Sequence, residues 1–220
     1  MWAIARKDLA IERRTGEMLS SLFLLALLVI LVFAFAVEPE RLAGPEIAAG
    51  MLWATLLFSG TLALNRSFLI EREAGAWTAL ALLPVDRGSI YLGKMLANLV
   101  LLTFAAVVLL PVIAILLGTR GLEPAPATLA ATLFLGVFGI AAIGTLCAAI
   151  ASRSRAREVL MPLLAFPLLA PLLIAAARAT SGALVGRGPA EIASWLAVLL
   201  GFDIIFTTAG WLAFDWIIEE

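Results

Sequence analysis

The sequence predicts an all-α integral membrane protein, a bundle of six transmembrane helices preceded by an N-terminal interfacial helix. Three observations predict it. The 220 residues are 63% hydrophobic and 14% charged, against about half and about a quarter in ordinary soluble domains. Apolar stretches near the length of about 20 residues that a bilayer demands recur six times between charged or Pro/Gly-marked breaks. Lys and Arg gather on alternate connections, as spans that alternate in direction require. Residues 1–220 read as a single transmembrane domain, and six spans leave no room for a soluble domain beside them.

The first segment, 1–17, mixes Arg6, Lys7, Asp8, Glu12, Arg13, Arg14 and Glu17 with apolar residues. Its projection at about 100° per residue is untidy: Trp2, Ala5 and Leu9 share one face, while Ile4 and Ile11 lie roughly opposite. Trp2 is nevertheless a headgroup anchor, and Arg and Lys side chains snorkel, so the segment is placed at the membrane surface. The first apolar stretch, 18–37, is too long for a cleaved signal peptide and is followed by Glu38-Pro39-Glu40 with no small-residue cleavage site, so it reads as a retained span. The remaining spans fall at about 47–65, 95–117, 127–151, 159–177 and 192–218.

Segments 1–17, 66–94 and 152–158 hold eleven Lys and Arg residues, whereas 38–46, 118–126 and 178–191 hold four. The positive-inside rule then puts both termini in the cytoplasm. The outer connections are short, two of them with proline beside an acid (Glu38-Pro39, Glu123-Pro124), and read as tight turns. The long inner connection 66–94 is the richest in structure signals. Ser67 to Glu73, with Glu71 and Arg72, extends the second span beyond the membrane; Gly75 permits a sharp turn; Ala76 to Leu83 forms a short helix that Pro84 stops. Carrying Trp77, Leu80 and Leu83, that helix suits a partner's groove, or equally the headgroup layer.

Fifteen basic against sixteen acidic residues give no surplus that calls for nucleic acid. One cysteine, Cys147, and no histidine exclude an internal disulfide, a cysteine metal cluster and most catalytic templates. Cys147 in Leu146-Cys147-Ala148-Ala149 reads as a small packing residue. No Ser/His, paired-Asp or metal-ligating constellation falls within the spans, so the chain is read as no enzyme, with no catalytic, cofactor or metal site of its own. Gly88 to Met95 matches the phosphate-loop pattern except at its last position, where methionine cannot supply the magnesium-binding hydroxyl, and Pro84-Val85-Asp86 stands where a strand is required. Lys94 is therefore read as snorkelling to lipid phosphates at the end of the third span.

Within the spans, Asp203 is the intramembrane polar candidate, since a charged carboxylate at bilayer depth costs about 2.5–3.5 kcal/mol on insertion scales. It reads as a proton or substrate contact with Thr207 and Thr208 one turn on, or as lying nearer the outer interface because 192–200 forms a separate re-entrant or surface helix; the second reading is preferred. Asn65 and Asn98 suit hydrogen bonds between helices. The fourth span carries small residues at Thr132–Gly136 and Gly144–Ala148, which permit close approach within the bundle or to a second copy. Pro162, Pro167 and Pro171 break the fifth span's backbone ladder, and a broken helix can line a path.

A charged N-terminal helix, six spans with both ends inside and one docking-type connection between spans two and three resemble the membrane component of an ABC exporter of the ABC-2 type. More narrowly, Ala63-Leu64-Asn65-Arg66, Glu71 to Gly75, Leu80 to Pro84, Leu92-Gly93-Lys94, Leu109-Leu110-Pro111 to Leu116-Leu117-Gly118, and Phe166-Pro167-Leu168-Leu169-Ala170-Pro171-Leu172-Leu173-Ile174 resemble the CcmB family of cytochrome c maturation permeases, also called the haem exporter protein B family. The likeness runs over essentially the whole chain.

That resemblance implies a permease subunit in the bacterial inner membrane for cytochrome c biogenesis. Its implied partners are an ATP-binding cassette subunit, in two copies, a haem-handling membrane subunit with its haem chaperone, and a second copy of itself. ATP would be hydrolysed by the partner and coupled to haem delivery or to release of the loaded chaperone. Haem would be handled by partner subunits, which suits a chain without histidine, where only Cys147, Tyr91 or methionines such as Met51 and Met161 offer iron a ligand. Glu71, Arg72 and Glu73 would orient the coupling loop and Trp77, Leu80 and Leu83 would fill the ATPase groove. Two other readings stand beside this one: an ABC-2 exporter of a lipid, glycan or drug, and a non-transporting membrane scaffold.

Overall fold

The computed structural model describes residues 1–36, 44–73, 87–116, 124–152, 154 and 156–219; the side chains of 66–73, 157, 158, 215, 218 and 219 are not described. Its elements are α1 (Trp2–Thr15), α2 (Glu17–Ala36), α3 (Pro45–Glu73), α4 (Arg87–Leu116), α5 (Pro126–Ser152), α6 (Arg157–Leu184) and α7 (Ala193–Glu219). Among the described residues all regular structure is helical, and the six helices after α1 are each long and apolar enough to cross a membrane.

Helix α1 stops where Gly16 turns left-handed (φ 64°) and donates its N–H to Glu12 O at 2.7 Å, the backbone state glycine adopts without penalty. Helix α2 follows at once, and its first free N–H groups are capped from the preceding helix. The Glu12 carboxylate, 3% exposed, accepts from Met18 N at 3.2 Å and Leu19 N at 2.8 Å, neutralising donors that a helix start leaves unpaired. From there α2 buries Met18, Leu22, Ala26 and Ile30, one stripe at i+4 spacing, against α3 and α4. Its other side, with Leu24, Leu28, Val32 and Phe35, is exposed and faces lipid once the helix spans a bilayer.

Helices α3 and α5 open on proline, whose missing N–H costs nothing in the first turn. Helix α5 is the centre of the bundle, packed on α3, α4, α6 and α7. Its glycines admit these neighbours. A Cβ on Gly136 would stand 2.2 Å from the Trp53 ring, one on Gly144 2.3 Å from Leu64, and one on Gly139 2.3 Å from Leu172. The small residues of this helix are thus spent inside the bundle. Trp53, so seated, donates Nε1–H to Thr180 Oγ1 at 2.9 Å, tying α3 to α6. At the end remote from α1, Ala125 N donates to Ala183 O at 2.9 Å, joining the start of α5 to the last turn of α6.

Two spans differ in extent from the sequence expectation. The third span, α4, begins at Arg87 rather than 95, because Ser89, Tyr91 and Lys94, polar by composition, are packed into the protein instead of lying in a loop. The fifth continues through all three prolines to Leu184 rather than ending at 177, because the polar residues there belong to helix contacts, as Thr180 does.

Candidate functional site

Two places gather polar groups that the fold does not need for span formation alone. The first is the start of α4, which follows the connection between spans two and three. Within its first three turns this helix meets three others. Gly88 lies against the Trp211 ring of α7, and a Cβ there would be 2.1 Å from it. Tyr91, fully buried, donates its hydroxyl toward Ala142 O of α5 at 3.1 Å and Phe206 O of α7 at 3.3 Å, with Gly210 under its ring and Phe214 beside it at a ring separation of 5.8 Å. Gly93 admits α1, its would-be Cβ 2.7 Å from Met1 O and 3.0 Å from Ile4. Asn98 donates Nδ2–H to Thr145 Oγ1 at 3.0 Å, the helix-to-helix bond expected of it.

Lys94 corrects the sequence expectation. It does not reach out to lipid phosphates: its side chain is 0% exposed and its Nζ lies 3.4 Å from Asp8 Oδ2 of α1. Burial makes this pair a fixed joint rather than a screened surface contact. The joint also explains why α1 projects untidily. Its inner face is Ile4, Ala5, Asp8, Leu9, Ile11 and Glu12, all at least half-buried, and two of these are carboxylates. One pairs with Lys94 and the other caps α2. Hydropathy projection counts both as outward, and Trp2, next to Leu9 on the wheel, is 63% exposed at the edge of that face.

Of the residues named for the coupling loop, Glu71, Arg72 and Glu73 form the last turn of α3, which continues beyond the apolar span as expected. Gly75, Trp77, Leu80, Leu83 and Pro84 lie outside the described residues.

The second place is Asp203. The preferred expectation set it near the outer interface beyond a separate helix over 192–200. Instead α7 is one continuous helix over Ala193–Glu219, because Gly201 is tolerated in an apolar helix and nothing else in 193–203 breaks it. Asp203 is ten residues in, about 15 Å along the axis, in the middle of the span Ala193–Phe214. It is 5% exposed, and neither carboxylate oxygen has a hydrogen-bond partner among the described residues. The expected partner Thr207 turns to Met95 Sδ at 3.9 Å. Gly139 of α5 makes the room, since a Cβ there would be 2.9 Å from Asp203 Oδ1. Cys147 is buried in the core, consistent with packing. No group of three or more His, Cys, Asp or Glu side chains able to hold a metal ion occurs among the described residues.

Six apolar helices with the glycine-lined α5 at their centre, and an amphipathic helix locked to one end, define a multi-pass, all-α integral membrane protein. The sequence matches the CcmB protein family over residues 1–218. Similar proteins include Heme exporter protein B of Rhodobacter capsulatus, 32% identical over 195 residues (88% of this chain and 85% of the relative), and Heme exporter protein B of Paracoccus denitrificans, 31% identical over 199 residues (90% of each). Heme exporter protein B of Pseudomonas aeruginosa is 29% identical over 206 residues, 93% of this chain and 90% of the relative. The chain belongs to the CcmB family, the family its sequence resembles.

Proposed function

We propose that this chain is the membrane permease subunit of an ABC-type complex that serves haem export for cytochrome c biogenesis, in a bacterial inner membrane with both termini cytoplasmic. A separate ATP-binding subunit hydrolyses ATP, and this chain turns that hydrolysis into haem delivery or release of a haem-loaded chaperone held by a second membrane subunit. Haem is handled by those partners. The names of the relatives support the haem assignment, and the eleven-to-four bias of Lys and Arg supports the orientation.

One observation carries the coupling role: the start of α4, which receives the chain from the connection after Glu73, is interlocked with α1, α5 and α7 at once. Closure of two ATPase subunits moves the connection, and its movement reaches three helices through Gly88, Tyr91 and Lys94. In the connection, Glu71, Arg72 and Glu73 orient the loop, Gly75 turns it, and Trp77, Leu80 and Leu83 ahead of Pro84 seat in the ATPase groove. A positive-φ turn at Gly75 would resist a β-branched residue, so Gly75→Val is expected to leave the complex assembled and hydrolysing ATP while cytochrome c maturation falls at least tenfold. Purification of the tagged chain from its native membrane in mild detergent, with mass spectrometry, ATPase assay and cytochrome c quantification, tests the whole reading. Absence of any co-purifying ATPase sinks it, and normal maturation in Gly75→Val removes the coupling role of that turn.

A further inference from the structure

The orphaned carboxylate of Asp203 does not stand alone. It lines a groove of about 390 Å³ between α5 and α7, walled by Phe134, Phe138, Leu200 and Ile204 with Thr208 at its edge. Phe134, Leu200 and Ile204 are at least half exposed, so the groove opens sideways, into the plane of the membrane. Helix α7 is one of the two least covered spans: 17% of its most apolar 18-residue stretch is buried and 22% of that of α2, against 67% for α3 and for α5. A largely exposed span therefore carries, at mid-depth, a buried acceptor that no described residue satisfies. Elsewhere in the bundle, the donors of Trp53, Tyr91 and Asn98 reach acceptors across helices; Thr55 Oγ1 and Asn98 Oδ1 are also buried without a partner among the described residues, but only in Asp203 are both oxygens of an acid so left, beside a groove. A buried acceptor without a donor is costly in a medium that contains no water.

We infer that this groove docks a transmembrane helix of a different subunit, one that places a hydrogen-bond-donating side chain (Lys, Arg, Asn or Gln) on Asp203. Three candidate occupants separate on physical grounds. A lipid headgroup is excluded by depth, since Asp203 stands about 15 Å from the helix start at 1.5 Å per residue, below the headgroup layer. A second copy meeting the same face would do so across a two-fold axis, bringing one Asp203 carboxylate toward the other with no cation between them. A non-identical helix with a donor satisfies the carboxylate and covers the aromatic walls together, the arrangement by which polar side chains join helices in membranes. The inference rests on the proposed assembly with a second membrane subunit and names the surface that subunit uses.

The test uses the intact complex in native membranes. p-Benzoylphenylalanine at position 208, at the exposed edge of the groove, is photolysed and the cross-linked peptide is sequenced; the expected product is a transmembrane peptide of another subunit with Lys, Arg, Asn or Gln within two turns of the attachment point. Cross-linking to this chain's own peptides from a second copy, or to lipid alone, overturns the inference. In parallel, Asp203→Leu and the groove-filling Ile204→Trp are purified and the second membrane subunit is quantified against the ATPase subunit. Both variants are expected to lose the former at least tenfold while keeping the latter, which shows that the chain has folded, and Asp203→Asn, which keeps an acceptor oxygen, to lose less. Retention at the wild-type ratio in Asp203→Leu overturns the inference and leaves the assembly intact. A wild-type complex that holds no second membrane subunit instead fails the assembly itself.

Discussion

Gly136 is where the packing argument is most exposed to measurement. A methyl group added there would meet Trp53 Cη2 at 2.2 Å and Cζ2 and Cζ3 at 2.8 Å, all on the far edge of the indole. Trp53 is 1% exposed, so the ring has no free volume to enter, and moving it strains or breaks the bond from Nε1 to Thr180 Oγ1. Overpacking of this kind costs about 1–3 kcal/mol, and losing the hydrogen bond adds about 0.5–1.5 kcal/mol. Gly136→Ala is therefore expected to destabilise by about 1.5–4.5 kcal/mol, which at about 2–4 °C per kcal/mol for a chain of this size lowers Tm by about 3–18 °C. Thermal unfolding of the purified protein in one detergent, followed by tryptophan fluorescence or circular dichroism, measures this. Trp53→Phe removes the edge that clashes, so Gly136→Ala added to Trp53→Phe should cost at least about 1 kcal/mol less than in the wild type, a coupling that a double-mutant cycle isolates. A Gly136→Ala protein within about 0.5 kcal/mol of wild type, or strict additivity in the cycle, refutes the reasoning, because either result means that the ring does not depend on the missing side chain.

The remaining predictions concern the joint at α1. Lys94→Met removes the buried cation from Asp8, which is 13% exposed and keeps Lys7 Nζ at 3.2 Å, so both it and Asp8→Leu should cost less than the about 3–5 kcal/mol of a fully broken buried pair, and the double variant should recover part of the loss because two apolar side chains need no pairing; thermal unfolding of the three proteins decides it, and a double variant as unstable as the sum rejects the pair as a unit. Glu12→Ala uncaps α2 at Met18 N and Leu19 N and should lower stability by about 0.5–2 kcal/mol, with Glu12→Gln between it and wild type because the amide oxygen still accepts. Equal stability of all three would show that the start of α2 is satisfied in another way.

How much was legible in the sequence depends on the range over which each feature is decided. Span recognition needs only hydropathy summed over about 20 residues, and the six apolar stretches fall on α2 to α7 with shifts at their ends. The shifts come where polar residues belong to helix contacts, at Arg87 to Lys94 and at Arg178 to Leu184. Glycine at the end of α1 and proline at the start of α3 and α5 carry their meaning locally and could be read directly. The coupling residues Gly75, Trp77, Leu80, Leu83 and Pro84 rest on pattern and resemblance, beyond the described residues.

Charge placement was decided by tertiary structure. Asp8 and Lys94 are 86 residues apart, and a local reading sends each to the surface because it sees a charge without its partner. Asp8 and Glu12 at i, i+4 on an otherwise apolar α1 face were a signal, had buried carboxylates been allowed on that face. For Asp203 the sequence established that an acid lies in an apolar stretch; only the fold established that it lies at mid-span, opposite Gly139 and beside a groove open to the membrane. By itself, then, the sequence determined the membrane solvent, the helical class and the spans, because each is a sum over neighbours in the chain. The tertiary structure decided which glycine admits which ring and which charge is paired, because those depend on groups that meet only after the helices pack.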